Sequence, residues 1–537
     1  MARSFGPILG IALVLTLVQP VSTIGGSFER GSRGTEAGDM LAVAVATGLI
    51  HSCALTSSGS VKCWGDNYRG QLGEGTSGDV RGRATPGEVL GLGGGVASIA
   101  SGQRHTCALM TGGTIRCWGA NRYGELGDGT TVQRTTPVNV AGLAGAVRAI
   151  AAAWHTCAIT TAGEVECWGL NDFGQLGDGT TTDRSTPAAV SGLRSGVKAI
   201  AAGNAHTCAL TDAGAVECWG DNEYGQLGDG TTATRHLPVT VSGLAGGALA
   251  VAVGSEHSCA LMRSGGVKCW GLNAGGQLGD GTRVNRRRPV AVVGLRYGVI
   301  AIAADRGRGV IGEGHTCALT HAGAVKCWGE NADGQLGDRS TRERTRPVNV
   351  SGLSGGVIAI DAGGRHTCAV TRTGGVKCWG YDAYGQIGDG ATGTVLHTHP
   401  TEVIGFGTAK VTLAILSRSI RASRAGVASI RLRCSAAGPC TGVLQMTATV
   451  RGRRVGSARP WIKLRLGDQS LSIAAGRQAS VDVKLTGSGL KLLKRAGRLV
   501  AKVEVSYKQP AGDTTTTSRT VLLTLPRPKG AQNIRSL

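Results

Sequence analysis

The sequence is poor in aromatic residues and in long hydrophobic runs. Phe, Tyr and Trp make up 4% of the 537 residues, which disfavours the aromatic stacking platform that single-stranded nucleic acids require. Past the first 26 residues, no segment is long and apolar enough to cross a bilayer. The Walker loop, the zinc-protease helix motif and the Gly-x-Ser-x-Gly elbow are also missing. We therefore predict no catalytic residue, no cofactor, no metal ion and no specific nucleic-acid partner.

Histidine, cysteine and glycine, in contrast, recur at fixed spacing. Seven copies of His-[Ser/Thr]-Cys-Ala-[Leu/Ile/Val] begin 50 to 58 residues apart, and each is followed by a second Cys that precedes Trp-Gly. A period of about 50 residues indicates a repeat architecture. The two cysteines of each copy are always ten residues apart: Cys53 and Cys63, Cys107 and Cys117, Cys157 and Cys167, Cys208 and Cys218, Cys259 and Cys269, Cys317 and Cys327, Cys368 and Cys378.

The segment between the cysteines of each pair predicts a β-hairpin. In the first copy, a turn centred on Ser58 places Leu55 opposite Val61 and Cys53 opposite Cys63. Directly opposed residues can have Cα atoms about 4.5 Å apart, within the roughly 4.4–6.8 Å that a disulfide spans. We therefore predict seven cross-strand disulfides. A zinc site made from His-x-Cys and the second Cys is the alternative that geometry leaves open.

The rest of each repeat indicates further short strands and tight turns. Gly-x-Asn-x-x-Gly-Gln-Leu-Gly-Asp-Gly-Thr is followed by a Pro, and a short apolar run then leads to the next His. Four-stranded units of this kind form β-propellers. We expect the repeated His to bond to the backbone of a neighbouring blade, and Asp128 and its counterparts to pair with an Arg such as Arg134. Calcium binding at this loop is the alternative, and His397 replaces the Arg in the seventh copy.

These motifs closely resemble the regulator of chromosome condensation repeat family, most of all its bacterial alpha-tubulin-suppressor-like branch. The resemblance covers residues 39–407 and implies an all-β, seven-bladed β-propeller. Related propellers include a secreted bacterial β-lactamase inhibitor and a plant ultraviolet-B photoreceptor. The photoreceptor function needs clustered tryptophans, whereas here the repeated Trp falls within the hairpin and Trp154 stands alone. Asp382 departs from the usual Asn, and residues 305–314 carry an insertion.

The two ends of the chain differ from the repeats. Residues 1–25 have the layout of a secretory signal peptide, with an uncleaved anchor as the alternative, and 26–38 form a linker. Residues 408–537 hold 24 Lys and Arg against four Asp and Glu. Strand-like runs with one helical stretch, Ser488–Ala496, predict a small basic immunoglobulin-like β-sandwich at 408–526, before a tail at 527–537. Cys434 and Cys440 are expected to form a further disulfide.

The positions that vary between repeats carry the candidate binding residues. In Asn-x-x-Gly, five copies that are contiguous around a closed ring have an aromatic residue: Tyr68, Tyr123, Phe173, Tyr224 and Tyr384. Amphipathic aromatic side chains dominate many recognition surfaces. The alternative is that each ring packs only on its own turn.

Together, these features predict a monomeric, non-enzymatic binding or scaffold protein that is secreted or held at the cell surface. Its expected partner is a protein or a cell-envelope glycan. The basic domain is expected either to bind an anionic envelope polymer or to present only a solvated charged face. An exchange-factor-like regulator and a polysaccharide-directed enzyme remain as alternative functions, and the enzyme requires convergent carboxylates at one end of the channel.

Overall fold

The computed structural model divides the chain into two compact units, with the boundary between Gly407 and Thr408. It describes residues 41–193, 196–305, 307, 314–393, 396–407, 412–423, 425–435, 440–451, 461–473, 478–496, 498–508 and 514–525. The predicted signal peptide, linker and tail lie outside these residues. Within the described part of the chain, no helix is long and apolar enough to cross a membrane.

The first unit consists of seven antiparallel four-stranded sheets, each formed by consecutive strands, as the seven-bladed propeller prediction requires. Blades 1 to 4 contain β1 (Ala42–Thr47), β2 (His51–Thr56), β3 (Val61–Asn67), β4 (Asp79–Glu88); β5 (Val96–Ser101), β6 (His105–Met110), β7 (Ile115–Gly119), β8 (Arg134–Asn139); β9 (Val147–Ala152), β10 (His155–Thr160), β11 (Val165–Gly169), β12 (Arg184–Ala189); β13 (Val197–Ala202), β14 (His206–Thr211), β15 (Val216–Gly220), β16 (Arg235–Thr240). Blades 5 to 7 contain β17 (Ala248–Val253), β18 (His257–Met262), β19 (Val267–Gly271), β20 (Arg286–Ala291); β21 (Val299–Ala304), β22 (His315–Thr320), β23 (Val325–Gly329), β24 (Arg344–Asn349); β25 (Val357–Ala362), β26 (His366–Thr371), β27 (Val376–Gly380), β28 (His397–Glu402).

The four strands of each blade differ in composition according to their position in the blade. The first strands are rich in Ala, Val and Ile, and together they line a central channel of about 220 Å³. The second and third strands are almost completely buried. The fourth strand contains the repeated Pro, for example Pro137 in β8. Proline has no N–H to donate and is therefore tolerated at the outer edge of a sheet.

The predicted hairpin register is confirmed in all seven blades. In blade 1, Leu55 is opposite Val61 and Cys53 is opposite Cys63. The Cα atoms of the paired cysteines are 4.1 to 4.2 Å apart in every blade. Each pair is joined as a disulfide: Cys53 with Cys63, Cys107 with Cys117, Cys157 with Cys167, Cys208 with Cys218, Cys259 with Cys269, Cys317 with Cys327, and Cys368 with Cys378.

The sulfur atoms are therefore bonded to each other, as in the disulfide interpretation rather than the zinc alternative. The structure does not test the eighth predicted disulfide, because the side chains of Cys434 and Cys440 lie outside its described part. A disulfide between these two residues stays a prediction.

Apolar cores lie between neighbouring blades. The Cys157–Cys167 disulfide of blade 3, with Ile159 and Val165, packs against Trp219 of blade 4. Gly177 approaches the same indole so closely that a Cβ there would lie 2.6 Å from its Nε1 atom, and its φ is 71°. This position therefore requires glycine. All seven repeated tryptophans are fully buried at such junctions rather than only within their own hairpins.

A hydrogen-bond relay joins each blade to the next. His51 Nε2 lies 3.0 Å from the Thr106 hydroxyl oxygen, and that hydroxyl donates to the Gln71 carbonyl oxygen at 3.1 Å. The Trp118 Nε1–H donates to the same carbonyl at 2.8 Å. Our prediction that the histidines bond to backbone atoms was therefore wrong: the contact does cross between blades, but the partner is a hydroxyl side chain.

The same relay closes the ring between the last and the first blade. His366 Nε2 lies 2.8 Å from the Ser52 hydroxyl, and Trp64 Nε1–H donates to the Gln386 carbonyl at 2.9 Å. Blade 1 and blade 7 each take all four strands from their own repeat. Among the described residues, closure therefore depends on side-chain contacts, packing and a few backbone hydrogen bonds, such as that from the Ala42 N–H to the Gly374 carbonyl at 2.9 Å, without a strand exchanged between the two blades.

The second unit has two β-sheets and one helix. A three-stranded sheet has the order β29 (Thr412–Ile415), β31 (Val427–Ser435), β34 (Gln478–Lys484), and a five-stranded sheet has the order β30 (Ser419–Arg421), β36 (Thr514–Thr524), β35 (Arg498–Lys508), β32 (Cys440–Arg451), β33 (Trp461–Ile473). The predicted helix is present as α1 (Gly487–Ala496). Both sheets contribute to one apolar core, through residues such as Leu432 and Leu444. Its immunoglobulin-like classification stays a prediction.

Candidate partner-recognition face

One end of the propeller, here named the loop face, carries the variable positions of the repeats. It consists of the turns that precede each repeated His and the loops between the third and fourth strands. All five predicted aromatic residues lie in those loops. Tyr68 and Phe173 are exposed by 46% and 44%, whereas Tyr123, Tyr224 and Tyr384 are half-buried. The five rings therefore face the same end of the wheel, and two of them project well into solvent.

One of the half-buried rings does not pack only on its own turn. Tyr123 of blade 2 meets Trp154 of blade 3 edge to face, with the ring centroids 6.1 Å apart. Trp154 therefore has an aromatic neighbour, but this neighbour is a tyrosine and not a second tryptophan. Tyr384 lies 6.4 Å from Tyr381, whose ring is covered in turn by the Arg365 guanidinium at 4.8 Å. Such contacts hold the rings in place while leaving part of each accessible.

A cleft of about 570 Å³ opens on the loop face across blades 1 to 3. Three arginines line it, Arg69, Arg104 and Arg122, together with Tyr123 and Trp154. The Arg122 guanidinium lies 5.5 Å from the Tyr123 ring centroid. Concave surfaces that combine aromatic rings with a few fixed polar groups are typical binding sites. The arrangement suits a partner that offers flat or apolar groups beside negative charge.

Glu125 forms the floor of this cleft, at a position that is Gln in the other six blades. Its carboxylate accepts a hydrogen bond from the Tyr123 backbone N–H at 2.9 Å. Burial raises the pKa of Glu125 to about 7, although hydrogen bonds from backbone N–H groups and the charge of Arg122 oppose the shift. The charge at the base of the cleft therefore changes near neutral pH.

The opposite arc of the loop face is acidic. Gln226 donates through Nε2 to Asp221 at 2.8 Å and to Glu256 at 2.9 Å. Burial, followed by the negative charges of Asp221, Glu223 and Asp305, raises the pKa of Glu256 to about 8. The loop face thus has a basic arc over blades 7, 1 and 2 and an acidic arc over blades 4 and 5, a distribution that orients a charged partner.

Gly307, a described residue of the sixth-repeat insertion, contacts two other blades. The Gly307 carbonyl accepts hydrogen bonds from Gln103 Nε2 at 2.7 Å and from Asn204 Nδ2 at 2.6 Å. These two side chains belong to blades 2 and 4. Inside the channel, Asp361 replaces the Ala that the other six blades have, and its carboxylate accepts from the Thr47 N–H at 2.8 Å and hydroxyl at 2.9 Å.

The predicted Asp–Arg pairs are confirmed and belong to the framework. Arg134 Nη2 lies 2.7 Å from Asp128 Oδ2, and the same pairing occurs in blades 3 to 6. Partial burial raises the pKa of Asp128, but hydrogen bonds from Thr130 and Arg134 outweigh this effect and keep the pKa below its usual value. In blade 1, Glu74 takes the place of the Asp and pairs with Arg83.

Sequence reasoning missed several residues of the loop face, among them Arg104, Trp154, Tyr381 and Arg365. All lie at two further variable positions, immediately before the repeated His or after Cys-Trp-Gly. The signal that could have found them is the one that identified the five aromatic residues, namely variation within an otherwise constant repeat.

Comparison with known proteins agrees with this architecture. A family model described as "RCC1-like domain" matches residues 26–310, and models of the regulator of chromosome condensation (RCC1) repeat match 300–335, 357–386 and 322–370. The chain belongs to the RCC1-like family. The bacterial branch within this family stays a prediction.

Two curated relatives are named for different functions, one as an ultraviolet-B receptor and one as an E3 ubiquitin-protein ligase. The ultraviolet-B receptor UVR8 of Arabidopsis thaliana is 35% identical over 351 residues, 64% of this chain and 66% of the receptor. The mouse E3 ubiquitin-protein ligase HERC2 is 34% identical over 330 residues, 61% of this chain and 6% of the ligase. The matches thus span less than two thirds of each relative, and only a small part of the ligase.

Solved structures of the family share the propeller fold. Yeast RCC1 (Prp20), determined bound to Kap60, superposes with a TM-score of 0.56 at 21% identity, covering 71% of this chain and 90% of the yeast chain. Human WBSCR16 gives a TM-score of 0.54 at 22% identity, covering 62% and 87%. At such identities the likeness concerns the fold.

Proposed function

We propose that this RCC1-like chain is an exported, non-enzymatic binding protein whose loop face recognises a protein or a cell-envelope glycan. The chief support is the contrast between constant framework and variable loop-face residues. Tyr68 and Phe173 are largely exposed, and the Arg-rich cleft with Trp154 lies between them along the ring. Exposed aromatic rings fixed beside arginines are typical of binding hot spots.

Export is supported by the chemistry of the framework. Seven buried disulfides persist best in an oxidising compartment. The apolar segment at the start of the sequence has the composition of a secretory signal. Both features favour a secreted or cell-surface location for a monomer.

The basic second unit offers a groove for an anionic envelope polymer. Arg418, Arg421 and Arg431 line a groove of about 450 Å³ together with the serines Ser417, Ser419, Ser429 and Ser480. Guanidinium and hydroxyl groups together suit phosphate or carboxylate groups along a chain. This unit would then retain the protein at the envelope while the propeller binds its partner.

The loop-face proposal is tested by replacing its two most exposed rings. We expect Tyr68→Ser/Phe173→Ser to retain the wild-type melting temperature, because neither ring is part of an apolar core. Capture of the partner from envelope extracts should fall at least about thirtyfold, since a hot-spot residue contributes roughly 2 kcal/mol or more.

The matched control is Tyr297→Ser, because Tyr297 is 80% exposed but lies in a loop at the opposite end of the propeller. Its capture should equal that of wild type. Equal loss in both variants, or full capture by the loop-face variant, would contradict recognition by this face. A large fall in melting temperature would show instead that the rings support the fold.

A polysaccharide-directed hydrolase is the second candidate, because the acidic arc brings Asp221 and Glu256 together on one Gln226 amide. A protonated carboxyl beside an ionised one is the usual requirement of glycoside hydrolysis. Release of sugars from envelope polysaccharide by wild type but not by Glu256→Gln would support this function. Family membership alone does not separate partner binding from nucleotide exchange, because one propeller fold serves several activities.

A further inference from the structure

The seventh blade departs from the polar framework of the others at two positions that touch each other. In blades 2 to 6, an Asn amide, an Asp carboxylate and an Arg guanidinium form one cluster. In blade 6, for example, Asn331 Nδ2 donates to Asp338 Oδ1 at 3.3 Å, and Arg344 Nη2 lies 2.6 Å from Asp338 Oδ2. Blade 7 has Asp382 for the Asn and His397 for the Arg, and it keeps the central carboxylate as Asp389.

These replacements convert a donor-rich cluster into one of potential metal ligands. The amide and the guanidinium supply N–H donors, whereas Asp382 adds a second carboxylate and His397 offers an imidazole nitrogen. The nitrogen and carboxylate oxygens of the three residues lie within 4.8 Å of one another. Asp382 is 1% exposed; its Oδ1 accepts from the Ile387 N–H at 2.9 Å, and its Oδ2 faces His397.

The distances fit a shared cation better than a hydrogen bond. His397 Nε2 lies 3.5 Å from Asp382 Oδ2 and 3.7 Å from Asp389 Oδ2. An N–H···O hydrogen bond is shorter, at roughly 2.7–3.2 Å. Two ligands about 2.0–2.2 Å from a tetrahedral zinc ion are ~3.3–3.6 Å apart, close to the observed separations.

The second nitrogen of the imidazole is held in the way that a metal-binding histidine requires. His397 Nδ1 lies 3.0 Å from the Thr401 hydroxyl oxygen, within hydrogen-bond distance. In the tautomer in which Nδ1–H donates to this oxygen, Nε2 keeps a lone pair that faces the two carboxylates. Metal-binding histidines are commonly fixed by such an outer hydrogen bond.

We propose that Asp382, Asp389 and His397 form a binding site for a divalent transition-metal ion, Zn²⁺ or Mn²⁺, in blade 7. Imidazole and carboxylate ligands together are compatible with both ions. Gly390, next to Asp389, donates its N–H to the Ala84 carbonyl of blade 1 at 3.0 Å. The ion would therefore fix the loop that meets blade 1 where the ring closes, and with it Tyr384 of the loop face.

The test measures metal binding by the full chain after dialysis against a chelator. We expect one equivalent of Zn²⁺ or Mn²⁺ per chain in calorimetric titration and in elemental analysis, with a rise in melting temperature. The control, Asp382→Asn/His397→Arg, restores the residues of the other blades and should fold normally. Its affinity should be at least about a hundredfold lower, since even outer-shell changes cost 10–100-fold.

Asp389→Ala provides a second loss-of-ligand variant should the double variant fail to fold, and it should also lose the metal-dependent rise in melting temperature. Absence of binding to the wild-type chain would overturn the proposal and leave a His–carboxylate ion pair that substitutes for the Asp–Arg pair. Undiminished binding by a folded double variant, or by Asp389→Ala, would place the ion elsewhere and overturn it as well.

Discussion

At the scale of single residues, the proton positions in the inter-blade relay follow from its geometry. Each Ser or Thr hydroxyl gives its only hydrogen to a carbonyl of the preceding blade, as Thr106 does to Gln71. The hydroxyl oxygen can then only accept from the histidine, so His51 carries its proton on Nε2. Burial, followed by the charges of His366 and His105, lowers the pKa of His51 to about 3. The framework histidines are therefore neutral in the folded protein.

This arrangement predicts an acid-sensitive fold. Burial lowers the pKa of the seven histidines from 6.5 to about 3 or about 4, so below pH 6.5 the unfolded chain binds more protons than the folded one. The free energy of unfolding therefore decreases as the pH falls from 6.5 toward 4. Each histidine contributes up to about 1.4 kcal/mol to this decrease for every pH unit. Among the described residues, six carboxyl groups with a raised pKa, Glu125 and Glu256 among them, act in the opposite sense, so the net loss is smaller than the histidines alone would give.

Melting temperatures between pH 7.5 and 4.5 measure this effect, and calorimetry in buffers of different ionisation enthalpy counts the protons taken up on unfolding. Replacement of one framework histidine by an uncharged residue, His206→Gln, should reduce the uptake by about one proton. A melting temperature that stays constant from pH 7 to pH 5 would contradict the neutral, buried state of these side chains.

At the scale of elements, the hairpin was predictable because its evidence is local. A fixed spacing of ten between cysteines and alternating apolar residues determine both the register and the disulfide of β2 and β3. The contacts between blades were not predictable, because the Thr106 hydroxyl and the Gln71 carbonyl come together only when the sheets pack. The strand β33 (Trp461–Ile473) gives a weak sequence signal, because its alternation changes phase at Gly467, beside a bulge, so that Leu466 and Leu471 are both buried.

The disulfides should stabilise individual blades to a limited extent. We expect Cys157→Ala/Cys167→Ala to lower the free energy of unfolding by at most about 3 kcal/mol, because each bond closes a short loop. The true value should be smaller, since the hairpin backbone remains paired in the register of β10 and β11. Chemical unfolding of wild type and variant measures the difference, and full reduction of wild type should destabilise it more than this variant. Unchanged stability after full reduction would contradict a stapling role.

At the scale of the whole molecule, charge is divided between the two units. Most of the net charge of +22 comes from residues 408–537, so the propeller is close to neutral. We predict that Arg418→Gln/Arg421→Gln/Arg431→Gln weakens retention on an anionic polymer such as poly(glycerol phosphate), and that wild-type retention falls as salt is raised. Co-sedimentation measures both effects. Equal retention of the variant at low salt would show that the groove is not the binding site.

The binding proposal depends on the propeller having intact disulfides and acting outside the cytoplasm. The most direct test is peptide mapping by mass spectrometry of the protein isolated from its own cells, with free thiols blocked before disruption and no reductant added. We predict seven disulfide-linked peptides, each joining cysteines ten residues apart, from the Cys53–Cys63 bond to the Cys368–Cys378 bond. Blocked, unlinked thiols at these positions would contradict both the stapling and the location.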